Sequence, residues 1–392
     1  PIKNFHGLRD YYSLVKSLSS RKNNPVSTQM ALARNFGGTN DADQVCKKQF
    51  SSVITAFHGT KEKLMDFSAE ELIKANLEDN GARHLMIIGK SDSIVNLLTY
   101  KLRHWSKELS NKRGSKNVGR SAWDMEPVII HGSQFPNDFD DDYQYGVLSK
   151  IMMCVEAGRP LILTDLEIIY GSLYDLWNQN YITVGREDNQ KFYTRVALGA
   201  HSNPMVCVHE NFRCILVLDE KKVDFADPPL LNRFEKQKMS INDSLDDSMK
   251  RIVNELSTWC KQISTFVKKG NFAESEFKER DTFVGFDPEE TLQSLVIHNC
   301  TTTDLVGEKL LFKCKEMLIN IASADGIIRS RNSGLSVDIK EVGCWENVYF
   351  HEQHHDYIAT YIQSLLDESS TKDQGFKTII NTFSNINTDI AP

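Results

Sequence analysis

The chain has 392 residues, 40% of them hydrophobic and 25% charged, and its 46 Lys and Arg against 53 Asp and Glu leave a net charge of −7. That is enough for about two to three ordinary domains with cores of their own, and the composition excludes collagen-like, disordered and disulfide-stapled chains. The acidic balance argues against nucleic acid as the main partner, because phosphate binding needs a basic footprint.

Residues 1 to about 78 read as helices only. Leu8, Tyr12, Val15 and Leu18 recur at helical spacing. Pro25 opens a second helix, which Gly37-Gly38 stops, and Ser68 with Glu71 forms a capping box for a third. From residue 84 the pattern changes to short apolar runs separated by helices. The runs fall at 84–88, 127–131, 161–164 and 212–218, with a fifth expected at 238–241, and the helix after the first carries Ile94, Leu97, Leu98 and Leu102. This is the signature of an α/β fold with a parallel sheet, whose crossovers cannot be tight turns. Residues 181–184 and 191–196 flank Gly185 to Asn189 as a β-hairpin. The chain is helical again over about 244–370, with helices expected at 249–267, 289–296, 306–322 and 352–366, and residues 376–383 resemble the opening strand of another α/β unit.

No apolar run approaches the roughly 18 residues of a membrane span. The eight cysteines stand singly without a CxxC pair, a pattern expected of reduced thiols in a cytoplasmic protein. The sequence opens without a signal-peptide pattern, and its first residues read as mid-fold.

Several positions are candidates for chemistry. Gly89-Lys90-Ser91 follows a strand and precedes a helix, the context of a phosphate-binding loop. The full GxxxxGK[ST] loop is absent, since the strand runs directly into Gly89 and leaves no slack for a cradle of amides. Asp165 and Glu167 follow the third run as acids at a strand end that suit magnesium, although Leu166 stands where a hydrolytic site wants Glu. Asp219 ends the fourth run in a similar way. Either acid pair also reads as a solvated strand end. His351-Glu352-Gln353-His354-His355 is a literal HExxH, with His351 and His355 as candidate zinc ligands on one face of a helix starting there. The apolar continuation through Ile358, Tyr361 and Leu365 offers that pair no third ligand.

Five segments together resemble a known family. They are Gly7-Leu8-Arg9-Asp10-Tyr11-Tyr12, Leu32-Ala33-Arg34-Asn35-Phe36-Gly37-Gly38, the run 167–181, Val208-His209-Glu210-Asn211-Phe212-Arg213, and Leu230-Leu231-Asn232-Arg233-Phe234-Glu235-Lys236. In this order they resemble a dynein-like AAA+ ATPase module of the giant AAA+ RING-type E3 ubiquitin ligases, across nearly the whole chain. The resemblance implies an AAA+ α/β sheet flanked by helices with helical lid subdomains. Residues 1–78 would be the lid of a preceding AAA+ unit, 79–243 a degenerate α/β subdomain, 244–375 its helical lid region, and 376–392 the start of the next unit.

Under the same resemblance the module does not hydrolyse ATP itself. Arg9 takes the place of a sensor-2 arginine and Arg233 that of an arginine finger for the preceding unit, where ATP and Mg would bind, while Gly89, Lys90, Ser91, Asp165, Glu167 and Asp219 mark the module's own degenerate site. Zinc would belong to a RING region outside these residues. The implied partners are adjacent AAA+ units of the same polypeptide, a ubiquitin-conjugating enzyme and ubiquitin. The implied location is the cytosol or the lipid-droplet surface. Other readings stay open: an active ATPase using Lys90 with Asp165, a zinc peptidase at His351 and His355, or a structural spacer. In the spacer, Arg9 would make a helix-surface salt bridge and Arg233 an ion pair with Glu235 or Asp227.

Overall fold

The structure is a computed structural model that describes residues 5–20, 24–38, 50–52, 54–56, 65–79, 81–113, 126–133, 135–136, 140–186, 190–198, 202–265, 278–303, 305–330 and 339–351. It divides into two compact units, Pro1–Asp243 and Ser244–Pro392. The expected strand at 376–383 and helix at 352–366 lie outside the described residues.

The first unit opens with helices α1 (Leu8–Ser20), α2 (Pro25–Phe36) and α3 (Ala69–Leu77). Asn24 caps α2 by accepting the Val26 N–H, and Pro25 occupies the first turn, where its missing N–H costs nothing. The capping box of α3 forms as its sequence predicts, with Ser68 accepting from the Glu71 N–H and Glu71 accepting from the Ser68 N–H. There follow β1 (Leu85–Gly89), α4 (Ser91–Arg113), β2 (Val128–His131), α5 (Asp141–Ala157), β3 (Leu161–Thr164) and the single turn α6 (Tyr174–Trp177). The unit continues with β4 (Ile182–Val184), β5 (Lys191–Arg195), β6 (Met205–Val208), β7 (Cys214–Asp219), the short α7 (Pro228–Leu231) and β8 (Glu235–Lys238).

Five strands form one parallel sheet in the order β2-β3-β7-β1-β8. Each of β1, β3 and β7 is an apolar run buried on both faces, as a helix-covered parallel sheet requires. One face packs Met86, Ile88, Leu161, Leu163, Cys214, Leu216 and Leu218 into a core with α5, Tyr170, Leu173 and Trp177. The expected hairpin forms between β4 and β5, and β6 adds a third antiparallel strand that the sequence reading lacked.

The fifth strand of the parallel sheet corrects the sequence reading. It lies at Glu235–Lys238, three residues before the apolar 238–241 stretch expected to form it. Glu235, Lys236 and Gln237 are 1%, 1% and 2% exposed. They are buried because each polar group has a specific partner on the N-terminal helices. Arg34 of α2 forks onto Glu235 through two hydrogen bonds of 2.8 and 2.9 Å. Lys236 Nζ donates to Asp10 of α1 at 3.0 Å, and Gln237 donates to the Arg34 carbonyl at 3.0 Å. Arg83 reaches Asp10 from the chain just before β1, at 2.8 Å.

The second unit is helical: α8 (Asp247–Ser264), α9 (Glu279–Thr282), α10 (Thr291–Thr303), α11 (Gly307–Asn320), α12 (Ala324–Ser330) and α13 (Ile339–Phe350). Asp246 caps α8 by accepting the Met249 N–H. Its core gathers Leu256, Trp259, Cys260, Phe283, Val296, Leu310, Cys314 and Leu318. No helix among the described residues is long and apolar enough to cross a membrane.

Candidate functional site

In a doubly wound sheet the place for a ligand is the crevice at the C-terminal strand ends beside the strand where the order reverses, which here is β1. The chain leaves β1 at Gly89 and enters α4 at Ser91, so one residue, Lys90, stands where a phosphate cradle needs several. A Cβ on Gly89 would lie 2.4 Å from the Met239 carbonyl oxygen and 2.7 Å from Ile94 Cγ1. The Met239 N–H donates to the Ile88 carbonyl at 3.0 Å, which holds that segment across the corner. A carbonyl oxygen and an isoleucine therefore stand where a side chain at position 89 would point, which keeps this corner tight.

The acids around it are committed to protein partners. Asp165, at the end of β3, takes a left-handed backbone conformation with φ of 56°, uncommon for a residue other than glycine. Lys222 Nζ sits between Asp165 Oδ1 at 2.7 Å and Glu167 Oε1 at 2.8 Å. Burial works against that ammonium, but the bonds to Asp165 and Glu167 outweigh it and hold Lys222 above its ordinary value. The lysine thus stands between the two acids as their counter-charge. Leu166, between them, is fully buried in the core. Asp219 caps the turn that follows β7 by accepting the Lys221 N–H at 2.8 Å. Neither Lys222 nor its position was visible in the sequence, because nothing in its spacing relates it to the acids.

The two arginines, 224 residues apart by their numbers, come together on another face. Arg9 is exposed on α1 and donates to Asn178 Oδ1 just after α6. Arg233, between α7 and β8, donates to the Pro229 carbonyl and lays its guanidinium 3.6 Å from the centre of the Tyr174 ring. Burial lowers the Arg233 pKa first; the nearby Arg9 charge adds to the fall, while Tyr174, Asp227 and Asp175 oppose it.

This corrects both ion pairs expected of a spacer. Glu235 faces α2 and is taken by Arg34, whereas Asp227 accepts the Tyr174 hydroxyl at 3.3 Å. Arg9 bonds to a neutral amide rather than a carboxylate. Among the described residues, neither Arg9 nor Arg233 has a carboxylate at ion-pair distance. Two guanidiniums held near each other, with no carboxylate in ion-pair contact, attract an anion. The charged strand explains how α1 reaches this place: Asp10, buried on Lys236 and Arg83, is the residue after Arg9. Tyr174 and Asn178, in the 167–181 run, are the contact residues of the two arginines that sequence reasoning did not single out.

Of the HExxH stretch, the described residues include His351 alone, which follows α13 and donates its N–H to the Asn347 carbonyl at 2.9 Å. His355 lies outside the described residues. Among the described residues, no group of three or more His, Cys, Asp or Glu is placed to hold a metal ion.

Residues 74–245 match the family described as the RNF213 AAA domain. The chain is 29% identical over 413 residues to the E3 ubiquitin-protein ligase RNF213 of Homo sapiens, an alignment covering 98% of this chain and 7% of that protein. It is 27% identical over 410 residues to the E3 ubiquitin-protein ligase RNF213 of Mus musculus, with the same coverage of 98% and 7%. Against the E3 ubiquitin-protein ligase rnf213-beta of Danio rerio it is 28% identical over 303 residues, 74% of this chain and 6% of that protein.

Proposed function

Since residues 74–245 match the family described as the RNF213 AAA domain, we propose that the chain is a non-hydrolysing AAA+ module of a giant E3 ubiquitin ligase, which completes the ATP site of the preceding unit. The observation that carries this reading is the pairing of Arg9 and Arg233 on one face, each bonded to a neutral acceptor and, among the described residues, neither with a carboxylate at ion-pair distance. The closed corner at Gly89 and the Lys222 ammonium between Asp165 and Glu167 support the other half of it.

ATP and Mg would be held by the neighbouring unit, and zinc by the ligase region of the longer protein. What this chain contributes is fixed positive charge. Guanidiniums positioned before the reaction stabilise charge developing on a transferring phosphoryl group more strongly than water can, because they need no reorganisation. The buried ties from Asp10 to Lys236 and from Arg34 to Glu235 then link lid and sheet. Through them the nucleotide state of one unit would pass to the next, and on to the ligase region with its conjugating enzyme and ubiquitin. The cytosol is the expected place of action, with the lipid-droplet surface as a further one.

The test is steady-state ATP turnover of the full-length protein with Arg9→Ala and Arg233→Ala. Each should lower kcat, Arg233→Ala by at least about tenfold, given the 10³–10⁵ that arginine fingers supply elsewhere. Turnover at the wild-type rate in both variants would refute the reading.

A further inference from the structure

We infer that Tyr174 is the positioning residue of Arg233: its ring carries the guanidinium, and its hydroxyl is tethered to Asp227. The inference rests on the trans role proposed for Arg233 and names the group that aims it.

Three observations carry the inference. Arg233 lies 3.6 Å from the Tyr174 ring centre, well inside the range over which a cation is attracted to an aromatic face. The ring is itself fixed. Its hydroxyl donates to Asp227 Oδ2 at 3.3 Å, its ring centre lies 6.2 Å from that of Trp177 with the planes tilted by 44°, and Trp177 packs on Phe234, the residue after Arg233. Ring and finger therefore share one rigid base. Finally, the guanidinium is only partly used. One terminal nitrogen donates to the Pro229 carbonyl, and Nε is buried without a hydrogen-bond partner among the described residues. A guanidinium held by a ring face and one carbonyl keeps its net charge and its remaining N–H groups for an anion. One held by a carboxylate would be neutralised. The same arrangement ties Asp227, two residues from Pro229, to the phenol hydroxyl and not to the guanidinium.

Loss of the ring should lower turnover through kcat, since the finger acts on the reacting phosphoryl group rather than on nucleotide binding. The strength of a partly buried cation–π contact sets the expected loss at between about 3- and 30-fold. The experiment is steady-state ATP turnover of the full-length protein for Tyr174→Leu, Tyr174→Phe, Arg233→Ala and the Tyr174→Leu/Arg233→Ala double variant. Tyr174→Leu should lose kcat with KM little changed. Tyr174→Phe, which keeps the ring, should retain most of the rate, and the double variant should be no worse than Arg233→Ala alone.

Wild-type kcat in Tyr174→Leu beside a loss in Arg233→Ala would overturn the positioning role and leave the finger standing. A double variant much slower than Arg233→Ala would also overturn it, because Tyr174 would then act through the fold. An unchanged rate in Arg233→Ala would overturn both the finger and its support.

Discussion

Strands β7 and β8 flank the same strand, β1, and both are buried, but by opposite means. Strand β7 reads Cys-Ile-Leu-Val-Leu-Asp and is held by apolar surface removed from water, a force without direction. Strand β8 reads Glu-Lys-Gln-Lys and is held by the Arg34 fork on Glu235 and the Asp10 carboxylate on Lys236, which are directional and need their partners in fixed positions. The first kind of strand builds a sheet that many coverings would satisfy. The second specifies which helices cover it and in what position, and so brings Arg9 to the face that carries Arg233.

The largest effect expected of breaking this contrast is on the charged side. Glu235→Ala leaves the buried Arg34 with Asp79 at 3.0 Å as its one carboxylate partner and should cost about 3 kcal/mol in urea unfolding. The double change Arg34→Met/Glu235→Leu should recover most of that stability, because well-packed apolar replacements of a buried pair are often neutral. It should nevertheless lower ATP turnover of the full-length protein if the fork fixes the position of the lid.

Acid comes next. His84, wholly buried before β1, has its pKa pushed down to about 3 by burial and by Arg213; His6, beside Lys236, is lowered to about 4 by burial and that lysine. The unfolded chain takes up these protons near pH 6.5, well before the folded one does. Stability is therefore complete above pH 6.5 and falls as the pH is lowered, by about 2 kcal/mol per histidine at pH 5. Thermal melts across pH 5–7 should show that slope, and His84→Asn, which keeps an acceptor for the Cys214 N–H, should flatten it. Lys236 tilts the alkaline side the other way. Burial lowers it to about 8 despite Asp10, so the unfolded chain binds more protons above that pH and stability should rise from about pH 8 toward 10.5.

On the apolar side, Ile215→Val in β7 should cost about 1 kcal/mol, a methylene removed from a packed core. The smallest expected change is Lys222→Met, under about 1 kcal/mol in the same melts, because Lys222 and Glu167 are 39% and 52% exposed and solvent screens their pair.

The contrast between β7 and β8 also sets how much could be read in advance. Apolar runs announced β1, β2, β3 and β7, and Ser68 with Glu71 announced a helix start, since each depends on residues close in sequence. Strand β8 was misplaced onto the neighbouring apolar stretch because its burial depends on Arg34 and Asp10, some 200 residues away in the chain. The site divides in the same way. The missing cradle at Gly89 was legible as a count of residues between strand and helix. Arg9 and Arg233 were legible only through family resemblance, and Lys222, Tyr174 and Asn178 not at all, because their roles arise where separate segments meet.

The central claim is that this module acts on a neighbour's nucleotide and not on one of its own. The most direct test is steady-state ATP turnover of the full-length protein with Arg233→Ala beside Lys90→Ala. The account predicts a fall of at least about tenfold in Arg233→Ala and a wild-type rate in Lys90→Ala. A fall confined to Lys90→Ala would contradict it and place a working nucleotide site at Gly89.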